Sequence, residues 1–162
     1  MPKRIVVGIS GASGVIYGVR LLSLLKESDH ETHLVISKSG KLNIKIETKY
    51  SPDEVEGMVV APCTIKTLSG IANSYNENLL VRAADVTLKE KRKLVLVVRE
   101  TPLHKGHLRL MTMAADMGAH ILPPVPSFYH QPKTIDDIID QTIGKIFDYL
   151  GIEHDLFKRW VR

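Results

Sequence analysis

The chain has 162 residues, a formal net charge of +4 at pH 7 and a sequence pI of about 9.2. This length predicts one domain over residues 1–162, large enough to bury a substantial core. Basic residues alternate with acidic ones, and aromatic residues make up only 6% of the chain. Nucleic-acid binding would require aromatic platforms or a recognisable module beside the positive charge, so no nucleic-acid partner is expected.

The cysteine content and the hydropathy pattern bear on the compartment. Cys63 is the only cysteine, which excludes an internal disulfide and fits a reducing compartment. The apolar run near the N-terminus is too short for the core of a signal peptide. No apolar stretch approaches the ~20 residues of a membrane span. These features predict a cytoplasmic protein with no membrane partner.

Apolar runs alternate with helical patterns along the chain. They predict five strands, at Arg4–Ser10, Glu31–Ser37, Gly57–Pro62, Lys93–Arg99 and His120–Pro123. The helical patterns lie at Val15–Lys26, Gly40–Lys49, Thr64–Ile71, Leu79–Lys91, His104–Met117 and Ile135–Leu150. Continuous apolar strands are typical of a parallel sheet buried on both faces. The pattern therefore predicts a doubly wound, three-layer α/β/α domain with a Rossmann-like or flavodoxin-like parallel sheet.

A glycine-rich turn, Gly8-Ile-Ser-Gly-Ala-Ser-Gly14, joins the first strand to the first helix. Gly11 and Gly14 permit positive φ and close backbone approach, and the helix N-terminus favours an anion. Ser13 adds a hydroxyl donor. The spacing differs from the dinucleotide fingerprint G-x-G-x-x-G. The turn indicates a phosphate site, with a ligand-free strand-to-helix turn as the alternative.

Polar residues also follow the other strands, and ligands in such folds bind beyond the carboxyl ends of the strands. Thr64 and Thr67 form either a second polar cradle or an ordinary helix cap. Cys63 is either a nucleophile or a small buried residue. Arg99 places a cation at the crevice, and Glu100 is either a general acid or base or a salt-bridged carboxylate.

Histidines and a proline-rich loop complete the candidates. The loop Pro123–Pro132 presents Tyr129 and His130. His104 and His107 share a helix face, but no third ligand has matching spacing, so no metal is expected. The pattern alone assigns Glu47 to surface charge.

Together these motifs resemble the UbiX-like flavin prenyltransferases, formerly described as 3-octaprenyl-4-hydroxybenzoate carboxy-lyases or phenylacrylic acid decarboxylases. The matching blocks are GISGASG, VISKSG, GMVVAPCTIKTLSGIA, NLLVRAADVTLKEKRKLVLVVRETPLH, GAHILPPVPSFYHQP and the terminal Arg159-Trp160. They cover nearly the whole chain. The resemblance implies a single flavoprotein domain whose C-terminal helix and tail, residues 135–162, contribute to the oligomer and the active site.

The resemblance also implies an activity. Such an enzyme joins a dimethylallyl group from dimethylallyl phosphate to N5 and C6 of reduced FMN. The prenylated FMN then serves a separate UbiD-like decarboxylase, with a link to ubiquinone biosynthesis. The family further implies a homo-oligomer, a dodecamer, with active sites shared between subunits.

The site residues follow from the same resemblance. The FMN-binding residues would be Gly11, Ala12, Ser13, Ser37, Thr64, Ile65, Lys66, Thr67 and Arg99. The phosphate of dimethylallyl phosphate would be held by Lys89, Tyr129 and Lys145, of which Lys89 and Tyr129 come across subunit interfaces. The catalytic residues would be Glu47 and Glu100, with Ser13 assisting phosphate departure. Arg82 and Trp160 would complete the pocket, without a metal.

The chain departs from the family at two places. Family members usually carry a longer segment, including a Ser-Gly-Ser run, where Glu56 here directly precedes Gly57. Lys145 replaces a typical arginine, which keeps the charge but loses the bidentate fork.

Two alternative functions stay open at this stage. An FMN-dependent cysteine decarboxylase is one, although its Pro-x-Met-Asn-x-x-Met-Trp motif is absent from this sequence. A non-catalytic FMN-binding protein is the other.

Overall fold

The computed structural model describes residues 2–37 and 57–159. The helix expected at Gly40–Lys49, and with it Glu47, lies outside the described residues, as does Trp160. The described chain forms two compact units, one ending at Pro123 and one beginning at Pro124.

The first unit is built on a parallel sheet. Its strands are β1 (Arg4–Ile9), β2 (Glu31–Ile36), β3 (Gly57–Cys63), β4 (Lys93–Val98) and β5 (His120–Ile121). They are all parallel to their neighbours and lie in the order β2-β1-β3-β4-β5. This order is one of the two common doubly wound arrangements, the flavodoxin-like one, and confirms the expected fold class. β5 ends at Ile121, two residues before the expected Pro123, because proline has no N–H to donate to a ladder.

In the part of this unit that the structure describes, four helices flank the sheet: α1 (Val15–Lys26), α2 (Ile65–Ala72), α3 (Leu79–Lys89) and α4 (Lys105–Asp116). One face of the sheet, with Met58 and Val60, packs with residues of α2, α3 and α4 in a buried cluster. The opposite face packs on α1 at Gly18, where a Cβ would overlap the carbonyl oxygen of Ala61. The glycine lets α1 lie close to β3. Helices on both faces give the three layers.

The second unit contains α5 (Ile135–Leu150) and the segment after it. Thr134 and Asp137 form a capping box at the start of this helix, and Gly151 ends it with φ +70°. The chain then folds back, so that a Cβ at Gly144 would overlap the rings of His154 and Phe157. Among the described residues, no helix has the length and apolar character needed to cross a membrane.

Candidate functional site

The strand order reverses between β1 and β3, and Ser10 joins the ends of these two strands. Its side chain is 1% exposed. The Ser10 hydroxyl donates to the Pro62 carbonyl at 2.7 Å and accepts from the Thr64 N–H at 2.9 Å. A doubly wound sheet binds ligands in the crevice at this reversal. Ser10 therefore determines the shape of the place where a ligand is expected.

A cavity of about 330 Å³ opens beside Ser10. The residues that line it are Ser10, Gly11, Ser37, Thr64, Lys66, Thr67, Glu77 and Asn78. The residues from the ends of β1, β2 and β3 thus converge, as the sheet topology predicted. Ala12, Ser13, Ile65 and Arg99 are the members of the expected FMN set that do not line it.

The start of α2 forms one wall of the cavity. Thr64 caps the helix, because its hydroxyl oxygen accepts the Thr67 N–H at 3.0 Å. The two hydroxyl oxygens lie 3.0 Å apart. The N–H groups of Ile65 and Lys66 precede the first intrahelical bond, so they are available to an acceptor in the cavity. Both readings of Thr64, as a cap and as part of a polar cradle, therefore apply.

The glycine turn leads into α1 without a side-chain cap. Gly14 has φ +92°, a conformation that favours glycine, and no side chain of the described residues caps the first N–H groups of α1. Ser13 is exposed in the turn, and its hydroxyl makes no hydrogen bond with another described residue. The helix start and this hydroxyl together present donors suited to a phosphate.

Arg99 and Glu100 follow β4. The Arg99 backbone N–H donates to the Cys63 carbonyl at 3.1 Å, and the Arg99 Cγ would lie 4.0 Å from a Cβ on Gly14. Burial raises the pKa of Tyr17, against the lowering effect of the nearby Arg99 charge. Arg99 thus lies beside the glycine turn.

Glu100 is exposed at the end of β4. Its Oε1 accepts the Thr101 N–H at 3.1 Å. Within residues 2–37 and 57–159 it forms no ion pair, so the salt-bridged alternative has no support there. Its carboxylate is therefore accessible to a reactant.

Cys63 is a buried core residue, and His104 caps the start of α4. Cys63 is fully buried, and this burial raises the pKa of its thiol to about 12, which rules out a thiolate nucleophile at neutral pH. His104 accepts the Gly106 N–H at 3.0 Å, and its ring lies 3.6 Å from that of His107. No metal-binding cluster of three or more His, Cys, Asp or Glu residues occurs in the described part of the chain.

Two lining residues were not among the sequence candidates. Asn78 caps α3 by accepting the Val81 N–H at 3.0 Å. Glu77 forms an ion pair of 3.1 Å with Lys66. The signal in the sequence was an asparagine directly before an apolar helix, which predicts a cap. Nothing in the sequence pattern linked that cap to the end of β3.

Arg82 and Lys89 lie on α3, and Lys89 is the farther of the two from the Asn78 end of the helix. Arg82 pairs with Asp85 at 3.1 Å, one turn into the helix. Lys89 ends the helix and pairs with Glu90 at 3.1 Å. An eleven-residue helix is about 16 Å long, so Lys89 lies far from Asn78 and the cavity of the same chain.

Tyr129 and Lys145 belong to the second unit. Tyr129 is 41% exposed, and its hydroxyl lies 3.5 Å from the Gln141 amide nitrogen. The Lys145 side chain is 45% exposed and lies 3.9 Å from Asp148. Both side chains therefore reach the surface of their unit.

Comparison with known proteins identifies the family. A sequence model for a family described as Flavoprotein matches residues 39–147, more than half of the chain. The flavin prenyltransferase UbiX of Salmonella typhimurium is 54% identical over 185 residues, covering 98% of each chain. This chain belongs to the UbiX-like flavin prenyltransferase family of flavoproteins. Another relative, the mitochondrial flavin prenyltransferase PAD1 of Saccharomyces cerevisiae, is 45% identical and is matched over 98% of this chain and 76% of its own.

Solved structures support membership of the UbiX-like family. AnUbiX (PadA1), crystallised with FMN and dimethylallyl pyrophosphate, has a TM-score of 0.91 and 39% identity, covering 100% of this chain and 99% of its own. A dodecameric FMN-dependent UbiX-like decarboxylase from Escherichia coli O157:H7 has a TM-score of 0.90 and 41% identity, covering 98% of this chain and 100% of its own. The peptidyl-cysteine decarboxylase EpiD, at 16% identity and a TM-score of 0.69, shares the fold alone.

This UbiX-like chain is shorter than its relatives internally. The alignment with the Salmonella protein spans 185 residues and this chain has 162, so at least 23 aligned positions have no residue here.

Proposed function

We propose that this flavoprotein transfers a dimethylallyl group from dimethylallyl phosphate to N5 and C6 of reduced FMN. The allylic C–O bond breaks and phosphate leaves. The N5 proton is released, and the proton lost from C6 is balanced by one gained at the former alkene carbon. The observation that carries this proposal is the Ser10-centred cavity at the sheet reversal, in a chain 54% identical to a flavin prenyltransferase.

The cavity residues fit FMN. The phosphate of FMN requires several N–H and hydroxyl donors, and the uncapped start of α1 beside Ser13 supplies them. The Ile65 and Lys66 N–H groups and the Thr67 hydroxyl offer further donors at the start of α2. FMN itself supplies the nucleophilic atoms N5 and C6. We therefore assign the flavin to this cavity and to the glycine turn that continues from it, with Gly11, Ala12, Ser37, Thr64 and Arg99 in contact with the flavin.

The donor phosphate requires a second set of cations and hydrogen-bond donors. Lys89, Tyr129 and Lys145 would bind it, and this lowers the energy of a leaving group that carries negative charge. Because Lys89 lies far from the cavity of its own chain, we propose that another subunit contributes it. Arg82 and Trp160 would enclose the prenyl group.

Carboxylates would accept the proton that is lost from C6. Glu100 is exposed and forms no ion pair with the described residues, so its carboxylate is free to accept a proton. Glu47 is the second candidate base, and Ser13 would assist departure of the phosphate.

The wider role follows from the product. Prenylated FMN would pass to a UbiD-like decarboxylase, in ubiquinone biosynthesis or a related route. The single, buried Cys63 fits the reducing cytoplasm as the place of action. A homo-oligomer, as in the dodecameric Escherichia coli relative, would bring Lys89 and the cavity together.

A second candidate is FMN binding without catalysis. The observation that favours it is the internal shortening by at least 23 aligned positions. A site that lost part of its wall would still hold FMN at α1 and α2 while failing to position the donor.

Phosphate release separates the two candidates. Wild-type protein with reduced FMN and dimethylallyl phosphate, kept anaerobic, is expected to release inorganic phosphate in step with flavin consumption. Glu100→Gln should lower kcat by roughly 10²-fold or more, the range of a lost general base, while FMN affinity stays unchanged. Wild-type protein that binds FMN but releases no phosphate would support the non-catalytic candidate.

A further inference from the structure

Asp148, on the last turn of α5, is bound by the segment that follows the helix. Its Oδ1 accepts from Arg159 at 2.7 Å and from the His154 Nε2 at 3.1 Å. His154 Nδ1 accepts the Leu156 N–H at 3.3 Å, and its Nε2 also lies 3.4 Å from the Arg159 guanidinium. Arg159 and His154 therefore both contact the same oxygen of Asp148, and Arg159 makes the shorter contact.

Lys145 lies one turn before Asp148, and its ammonium makes only a long ion pair with that carboxylate. Its Nζ is 3.9 Å from Asp148 Oδ2, beyond hydrogen-bond distance. On another side it lies 5.0 Å from the centre of the Phe157 ring. An aromatic face attracts a cation without competing as a full anion. The Lys145 donors thus remain available to an incoming anion.

The segment after α5 packs closely against the helix at Gly144. Gly144 is buried, and a Cβ there would overlap both His154 and Phe157. Hydrogen bonds from Arg159 and His154 outweigh the raising effect of burial and lower the pKa of Asp148. The Arg159 pKa is raised, mainly by its bond to Asp148 and with a contribution from nearby Tyr129. The segment 154–159 therefore lies among the residues of this unit that are assigned to the donor phosphate.

These contacts imply a competition. A carboxylate three residues from a lysine on a helix pairs with it readily when nothing else occupies the carboxylate. We propose that Arg159 is a positioning residue for the phosphate donor: it holds Asp148 and so keeps the Lys145 ammonium available to bind phosphate. The inference rests on the proposed function of Lys145 as a phosphate ligand.

Removing the guanidinium tests this role. Arg159→Ala should raise KM for dimethylallyl phosphate roughly two- to fivefold, the size of a partly exposed ion pair, with kcat unchanged. Arg159→Lys should restore most of the wild-type KM, since it keeps a charge on Asp148. Lys158→Ala removes an exposed neighbouring charge and serves as the matched control, with KM expected to stay at the wild-type value.

The double variant Arg159→Ala/Asp148→Asn decides between competition and damage to the tail. Without the carboxylate, Lys145 has no competing anion, so KM should return to the wild-type value. The single variant Asp148→Asn should likewise not raise KM. If Arg159 merely anchored the tail, Asp148→Asn would weaken donor binding too, and the double variant would remain as weak as Arg159→Ala; that result would overturn the proposal.

Inorganic phosphate gives a readout independent of turnover. Its dissociation constant, measured by calorimetry on the FMN-bound protein, should rise in Arg159→Ala and recover in the double variant. If the phosphate dissociation constants change in this way but the wild type transfers no prenyl group, the proposed function is rejected and the role of Arg159 stands. Normal prenyl transfer with an unchanged phosphate affinity in Arg159→Ala would reject the role alone.

Discussion

Ser10 shows how one buried hydroxyl can hold a binding site in shape. Its hydroxyl links the ends of β1 and β3 through one donated and one accepted hydrogen bond, and the residue, 1% exposed, offers a ligand very little surface. Its contribution to FMN binding is therefore indirect: it keeps the start of α2 beside the glycine turn.

Ser10→Ala is expected to destabilise the fold by about 1–3 kcal/mol, because it leaves the Thr64 N–H without its acceptor and the Pro62 carbonyl with only the Ser10 backbone N–H at 3.3 Å. FMN affinity should fall as well. Urea unfolding and flavin fluorescence quenching measure the two effects. Ser23→Ala, which removes a hydroxyl bonded only to a carbonyl within α1, is the matched control, and equal losses in both variants would contradict this account.

Cys63 gives a second prediction at this scale. Its thiol pKa is raised by burial from 9.0 to about 12, so the folded state retains the proton across this interval while the unfolded state loses it. The thiol's contribution to stability is complete below pH 9 and falls by about 1.4 kcal/mol per pH unit above it.

The stability advantage of the wild type over Cys63→Ala should therefore shrink between pH 8 and pH 10, as followed by urea unfolding at both values. An advantage that stays constant or grows with pH would show that burial does not raise the pKa of the Cys63 thiol. The variant should keep its prenyl-transfer activity.

At the scale of elements, two helix caps of the same kind, one at the cavity and one elsewhere, allow effects on stability and on FMN binding to be distinguished. Thr64 caps α2 at the cavity, whereas Thr134 caps α5 in the second unit. Both accept the N–H of the residue three positions later, at 3.0 Å and 3.1 Å.

Thr64→Ala and Thr134→Ala are each expected to cost about 1 kcal/mol of stability, the usual value of such a cap. Only Thr64→Ala should weaken FMN binding, and Thr64→Ser should restore it. Thermal unfolding and flavin titration test the pair. An equal loss of FMN affinity in Thr134→Ala would show that the cavity wall at α2 is not what holds the flavin.

The elements themselves were readable from the sequence because apolar periodicity determines burial. α1 and α5 begin and end as predicted, and four strands end within a residue of their expected limits. Glu77 and Asn78 were missed as site residues because they follow α2, and only the tertiary packing of α3 brings them to the end of β3. The distance of Lys89 from the cavity likewise depends on the direction of α3, which sequence motifs do not specify.

At the scale of the whole molecule, the central feature is that one chain does not collect all the expected catalytic groups at its cavity. Lys89 ends α3, about 16 Å along the helix axis from the Asn78 end that lines the cavity. The proposed sharing of the site between subunits would resolve this, and activity would then depend on assembly.

Mixed oligomers test this sharing. Ser13→Ala and Lys89→Ala are each expected to be inactive alone, yet co-assembled subunits should regain activity, because some sites then receive an intact Ser13 from one chain and an intact Lys89 from another. Mixing preformed oligomers without subunit exchange is the control. Co-assembled variants that stay as inactive as the separate ones would place both residues in the same subunit's site.

The most direct measurement is the mass of the flavin after reaction. Purified protein is incubated anaerobically with reduced FMN and dimethylallyl phosphate, and the released flavin is analysed by mass spectrometry. The account predicts a flavin heavier by one five-carbon prenyl unit, formed by the wild type and formed far more slowly by Glu100→Gln. Unmodified FMN recovered from protein that binds it tightly would contradict the transferase and leave a flavin-binding protein.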